Sequence, residues 1–252
     1  MARYKVILAY DGTEFFGSQR QADVRTVQSV LENALRKLDW GDQSITLAGR
    51  TDAGVHASGQ VAAFDLNWNH PPDALLRALN ALLPNDLAIR SITACSDKFH
   101  PRFDAVERSY RYEIICDPAR SPLRERYAWR VWPAPDFELL QTVARSFIGT
   151  QDFAPFGGPT NPNGSTIREV KQASWQQQEK LLTFKVTANA FLYHMVRRMV
   201  FVLVSCGQGK LEAGNISQVL KASQKQEMFQ GLAPPKGLSL IEVRYPSEIL
   251  RE

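Results

Sequence analysis

The order of its periodic segments limits what this chain can fold into more than any other feature. Tyr4 to Ala9 alternates with the period of a strand, and Thr26 then caps a segment in which Val27, Val30, Leu31, Ala34, Leu35 and Leu38 recur at helical spacing. Ile45-Thr46-Leu47 and Gln60 to Leu66 read as strands. Pro71, Pro72 and Asp73 open a second helix through Ala74, Leu75, Ala78, Leu79 and Leu82, and Leu87 to Ala94 is a fourth strand. The resulting order, β-α-β-β-α-β, is the split βαβ arrangement of ferredoxin-like units.

The second half gives a similar order. Glu107 to Cys116 reads as a strand, Phe137 to Ile148 as a helix, and Pro155 to Ser165, rich in Gly, Pro and Asn, as a long loop. Thr166 to Trp175 and Lys180 to Val186 suggest a hairpin. Asn189 to Cys206 is the most apolar helical segment, followed by a short helix around Ile216 to Ala222 and a final strand from Leu238 to Tyr245. The halves share element order without a residue-level repeat. The expected fold is α+β, with two ferredoxin-like domains, a mainly antiparallel sheet and a central cleft. The loop-like composition of Phe99 to Val106 sets the boundary near residue 104, giving domains 1–104 and 105–252.

Composition removes several function classes. The three cysteines, Cys95, Cys116 and Cys206, are far apart and form no C-x-x-C pair, so neither a disulfide framework nor a zinc site is suggested. The histidines at 56, 70, 100 and 194 show no metal-type pairing. No phosphate-binding G-x-x-x-x-G-K-[ST] loop, dinucleotide G-x-G-x-x-G motif or G-x-S-x-G nucleophile elbow is present, so no nucleotide cofactor is expected. No run of about 18 apolar residues exists and Met1 to Lys5 leads straight into a strand, so a cytoplasmic protein with no membrane partner is expected. The net charge of +4 tilts toward a polyanionic partner.

What remains is an acid, cations and aromatics. Gly49-Arg50-Thr51-Asp52-Ala53-Gly54-Val55-His56-Ala57 delivers a carboxylate at a strand end between two glycines, which suits either a structural turn or a reactive loop. Arg197 and Arg198 stand in the apolar helical segment with Phe191, Leu192, Met195, Val196, Met199 and Val200. Either both arginines reach out to solvent along their stems, or one is buried and needs an acceptor such as Asp52. Tyr110 and Tyr112 alternate with Arg108 and Arg111, so the tyrosines share one face, as a core or as a surface that stacks a base. Arg120, Arg124, Arg126 and Arg130, interleaved with Tyr127, Trp129 and Trp132, fit a strip for a nucleic-acid backbone or a solvated loop.

Taken together, Tyr10-Asp11-Gly12-Thr13, Gly17-Ser18-Gln19-Arg20-Gln21, Gly49 to Ala57, Arg108 to Tyr112, Asn189 to Arg197 and Gly237-Leu238-Ser239-Leu240 resemble the tRNA pseudouridine synthase A family over nearly the whole chain. The resemblance implies a cofactor-free homodimer that isomerises uridine to pseudouridine in the anticodon stem-loop of tRNA, at tRNA positions 38 to 40. It implies that Asp52 is the catalytic aspartate, Tyr110 the active-site tyrosine and Arg197 the arginine paired with the aspartate. Arg50 matches the arginine that helps to flip the target base, and Thr51, His56, Gln19, Arg108 and Leu238 complete the expected substrate-binding set. Two residues depart from the family pattern. Ser18 stands where an aromatic is usual, and Phe201 where a glycine commonly follows the Arg197 segment. The competing readings are a catalytically silent RNA-binding or tRNA-folding protein and an RNA hydrolase working through Asp52, which lacks a second acid or a metal set.

Overall fold

The computed structural model describes residues 1–41, 44–159, 164–221 and 229–246. The chain forms two compact units, Met1–Val106 with Ser239–Glu252, and Glu107–Leu238. In chain order the first elements are strand β1 (Ala2–Tyr10), helix α1 (Val27–Arg36), the short β2 (Thr46–Leu47), β3 (His56–Leu66), α2 (Pro72–Leu82) and β4 (Leu87–Cys95). They are followed by β5 (Glu107–Cys116), β6 (Trp129–Val131), α3 (Phe137–Arg145), β7 (Gly149–Asp152), β8 (Ile167–Gln178), β9 (Leu181–Ala188), α4 (Met195–Gly207), α5 (Ala213–Lys221) and β10 (Leu238–Arg244).

In the first unit β1 is central, paired antiparallel to β3 on one side and to β4 on the other, so that Val6 lies opposite both Ala62 and Ile92. Side chains alternate across a strand, and Tyr4, Val6, Leu8 and Tyr10 are accordingly all buried on one face. Thr26 caps α1 as the sequence suggests, and it does so in a capping box. Its hydroxyl accepts from the Ser29 N–H at 3.2 Å while the Ser29 hydroxyl accepts from the Thr26 N–H at 3.0 Å. Val27, Leu31, Ala34 and Leu35 supply the buried stripe. Helix α2 starts with Pro72 in its first turn and is tied to β4 by the Asn80 amide, which bonds both the N–H and the C=O of Ile89 at 2.8 and 2.9 Å.

The second unit is built on the order β5-β9-β8-β7 with antiparallel neighbours, and β6 adds parallel to β5. Tyr112 stands opposite Phe184, and both are fully buried. Helices α3 and α4 cover this core with Leu140, Val143 and Ala144 from the first and Met195, Met199, Val202 and Leu203 from the second.

The structure departs from the sequence reading in four places. The last strand was expected with residues 105–252, yet Ser239–Glu252 groups with the first unit, because Ser239 and Leu240 pair parallel to His56 and Ala57 of β3. The helix expected over 189–206 begins only at Met195. His194 adopts a left-handed φ of 63°, and the Tyr193 N–H is spent on the Gly158 carbonyl at 3.0 Å, so the apolar run before Met195 is not helical. Two short strands, β6 and β7, lie where no strand was read. The first has only three residues inside the Arg-rich connection and the second four, too few for a period to show. The second half therefore runs β-β-α-β-β-β-α-α before the final strand. Residues 160–163 of the expected long loop and Ala222 of the expected short helix lie outside the described residues. Among the described residues no helix is long and apolar enough to cross a membrane.

Gly59 of β3 lies tight against β10, since an added β-carbon would collide with the Ile241 carbonyl. The exposed Gly41 has nothing within 4 Å of the same position. Gly59→Ala is expected to lower stability by about 1–3 kcal/mol in urea unfolding, against less than about 0.5 kcal/mol for Gly41→Ala.

Candidate active site

The loop that carries Asp52 is held at almost every residue. It leaves β2 through Ala48, whose N–H bonds the Val61 carbonyl at 2.8 Å, and the Gly49 carbonyl accepts from the Gln60 side chain at 2.9 Å. Thr51 is buried. Its N–H donates to the Ser18 hydroxyl at 2.9 Å, its C=O accepts the Ser18 N–H at 3.0 Å, and its own hydroxyl bonds the Tyr10 hydroxyl at 2.9 Å. Asp52 then opens a β-turn closed by the Val55 N–H on the Asp52 carbonyl at 3.2 Å, with Gly54 at φ 76°, a conformation L side chains resist. Of the two alternatives left open by the sequence, the turn is present in the structure. The turn fixes the main chain and leaves the Asp52 side chain half-buried.

The neighbouring loop makes this possible. Gly17 has φ 94°, and a β-carbon there would stand 2.9 Å from the Thr51 carbonyl oxygen. Only glycine lets the two loops come this close. Gln19 and Arg50 are exposed, at the outer edge of the pair of loops. His56 belongs to β3 and is 7% exposed, so its ring is part of the support beneath the loop. Its Nδ1 accepts the Gly12 N–H at 2.9 Å and lies 3.2 Å from an Asp11 carboxylate oxygen. Burial pushes the Tyr10 phenol up to about 12, with the Thr51 and Gln60 hydrogen bonds acting in the opposite direction.

In the second unit Tyr110 is buried edge-on against Phe191, with ring centroids 5.0 Å apart, and Arg108 donates to the Asn189 carbonyl at 2.9 Å. Leu238 is buried at the start of β10. Arg197 and Arg198 are both half-buried, and each grips main chain. The Arg197 Nε donates to the Ala233 carbonyl at 2.8 Å while the Ala233 N–H returns a bond to the Arg197 carbonyl at 3.2 Å. Arg198 donates to the Phe229 and Phe156 carbonyls at 3.0 and 2.7 Å. Burial, and then the neighbouring Arg197 charge, draw the Arg198 guanidinium below its ordinary value. Tyr112 extends the same anchorage, its hydroxyl donating to the Pro234 carbonyl at 2.7 Å, and burial raises its phenol far above the ordinary tyrosine value. Phe201 lies against Gly231, where an added β-carbon would collide with the ring, so the small residue absent at 201 is present across the contact.

Sequence reasoning brought out Asp52, Tyr110 and the arginines but missed what holds them. Ser18, Tyr10, Gln28 and Glu32 are all buried around the Asp52 loop or behind it. Gln28 and Glu32 were legible in principle as a polar pair four residues apart on the flank of the α1 stripe.

The family model for tRNA pseudouridine synthase matches residues 6–104 and 143–246. Asp52 lies in the first block and Arg197 in the second, while Tyr110 falls between them. A tRNA pseudouridine synthase A from Geobacter sp. (strain M21) is 38% identical over 246 residues, covering 98% of this chain and all of the relative. Proteins of the same name from Chloroflexus aurantiacus and Roseiflexus sp. (strain RS-1) are each 41% identical, covering 100% and 96% of this chain and 91% and 90% of their own lengths.

Tyr10→Phe removes the hydroxyl that holds Thr51 and is expected to cost about 1 kcal/mol in denaturant unfolding at neutral pH. Above pH 10 the unfolded chain releases this proton first, whereas the folded phenol holds it until about pH 12. Wild-type stability should therefore fall over that interval by up to about 1.4 kcal/mol per pH unit from this group, a component absent in Tyr10→Phe.

Proposed function

This chain belongs to the tRNA pseudouridine synthase family, and from that premise we propose that it isomerises uridine in the anticodon stem-loop of tRNA, at tRNA positions 38 to 40, with Asp52 as the catalytic carboxylate. The observation that carries this reading is the near-full-length family match together with an Asp52 loop whose main chain is pinned on both sides of the carboxylate. A silent RNA-binding protein has no need of a half-buried acid delivered by such a loop.

The reaction breaks the bond from ribose C1′ to uracil N1, turns the base and joins C5 to C1′, with loss of the C5 proton and gain of a proton at N1. Neither electrons nor phosphates change hands. A carboxylate suits attack on, or stabilisation of, an electron-poor sugar carbon. Extruding the uridine from its stack costs a few kcal/mol, and the exposed guanidinium of Arg50 is assigned the space the base leaves. Tyr110 is assigned to the flipped base, and Arg197 to the carboxylate as its orienting cation, since a planar fork fixes a carboxylate better than an ammonium does. Gln19 and Arg108 are assigned to the RNA, and Thr51, His56 and Leu238 to the lining and support of the base position. The same reading takes both units as ferredoxin-like, the active species as a homodimer and the setting as the cytoplasm.

Release of the uridine C5 proton from unmodified tRNA measures the reaction directly. Wild type should turn over, and Asp52→Asn should fall by at least about a thousandfold with tRNA affinity kept within about threefold. Full activity in the Asn variant would remove Asp52 from the chemistry. Arg197→Lys should lower turnover by roughly 10- to 100-fold with little change in affinity; a loss confined to affinity would mean that Arg197 meets phosphate.

A further inference from the structure

We propose that Ser18 is a positioning residue for the Asp52 carboxylate, acting through Thr51 as the end of a rigid strut that begins at a buried carboxylate in α1. The proposal rests on the reading of Asp52 as the catalytic group and adds what sets its position. Ser18 is completely buried, and it meets both main-chain polar groups of Thr51, taking the N–H on its hydroxyl at 2.9 Å and giving its own N–H to the carbonyl at 3.0 Å. Thr51 is the residue immediately before Asp52. A two-point grip on one peptide fixes its rotation as well as its place, which a single bond cannot do.

The strut continues behind Ser18. The carbonyls of Gly17 and Ser18 accept the Val27 and Gln28 N–H groups at 3.3 and 2.9 Å, so the loop satisfies amides in the first turn of α1 that have no partner within the helix. The Gln28 side chain accepts the Arg20 N–H at 3.0 Å and donates to Glu32 at 2.9 Å. Glu32 is completely buried, and it also receives the Arg20 guanidinium at 2.9 Å and the Ile45 N–H at 3.2 Å. A charge buried to this degree is stable only where such donors converge on it. They come from the Gly17–Gln21 loop, from α1 and from the segment entering β2, so Glu32 locks together the two ends of the frame around Asp52. Ser18 is the point at which that frame reaches the loop itself.

In the absence of its hydroxyl the Thr51 N–H loses its acceptor in a buried place, and the Asp52 main chain gains freedom to turn. Misplacement of a reacting group by about 1 Å costs on the order of a hundredfold in rate. Ser18→Ala is therefore expected to lower kcat by roughly 10- to 100-fold with KM for tRNA within about twofold, and Ser18→Thr, which restores the hydroxyl, to recover most of it. Amide exchange gives a readout independent of activity. Protection of the segment around Thr51 to Val55 should fall in Ser18→Ala while that of α1 and β1 is kept. An unchanged kcat in Ser18→Ala with the loop still protected would overturn the proposal, as would a uniform loss of protection across the first unit, which marks a residue needed only for folding. If wild type fails to turn over tRNA, the functional reading fails, and the exchange comparison still decides whether Ser18 holds the loop.

Discussion

The main chain of Thr51 is the point on which the arrangement of the Asp52 loop depends. Its N–H, its C=O and its hydroxyl are all bonded, to one residue of the Gly17–Gln21 loop and to one tyrosine of β1. Each bond alone contributes about 1 kcal/mol. Together they leave the peptide before Asp52 one orientation, and the turn that follows, closed by Val55 and bent at Gly54, leaves it one exit. Unmet main-chain groups in such a buried place cost more than the bonds yield, so the loop has few alternative arrangements.

A comparable device works in the second unit by different means. The segment from Phe229 to Pro234 has no strand or helix of its own among these residues, and it is held to α4 and β5 by the side chains of Arg198, Arg197 and Tyr112 acting on its carbonyls. The stacking of Phe201 on Gly231 closes the same contact. These arginines do not float out to solvent on their stems. Half-buried guanidinium groups held by main-chain carbonyls are fixed in direction.

The two departures from the family pattern thus have local explanations. Ser18 brings a hydroxyl to a buried position where the Thr51 N–H needs an acceptor, and Phe201 brings bulk to a position faced by a glycine. Neither could be judged from one sequence, because in each case the partner is more than 25 residues distant. A compensating pair is invisible until both members share a contact.

Periodicity alone revealed α1, α2 and the strands of the first half within a few residues, because each buries one face and its apolar residues repeat with that face. Glu107–Cys116 was legible for the same reason, and Asp52, Tyr110 and Arg197 stood out as candidates by residue type and family-like order. Tertiary structure decided the rest. The irregular backbone from Asn189 to His194 overrode an apolar helical pattern, since hydrophobicity does not report a left-handed residue or a bond to Gly158. The return of Ser239 to the first unit was set by strand pairing with His56 and Ala57, residues far back in the sequence. His56 and Ser18, polar in sequence, became buried supports because their partners are main-chain N–H groups, which every residue except proline carries and no sequence pattern marks.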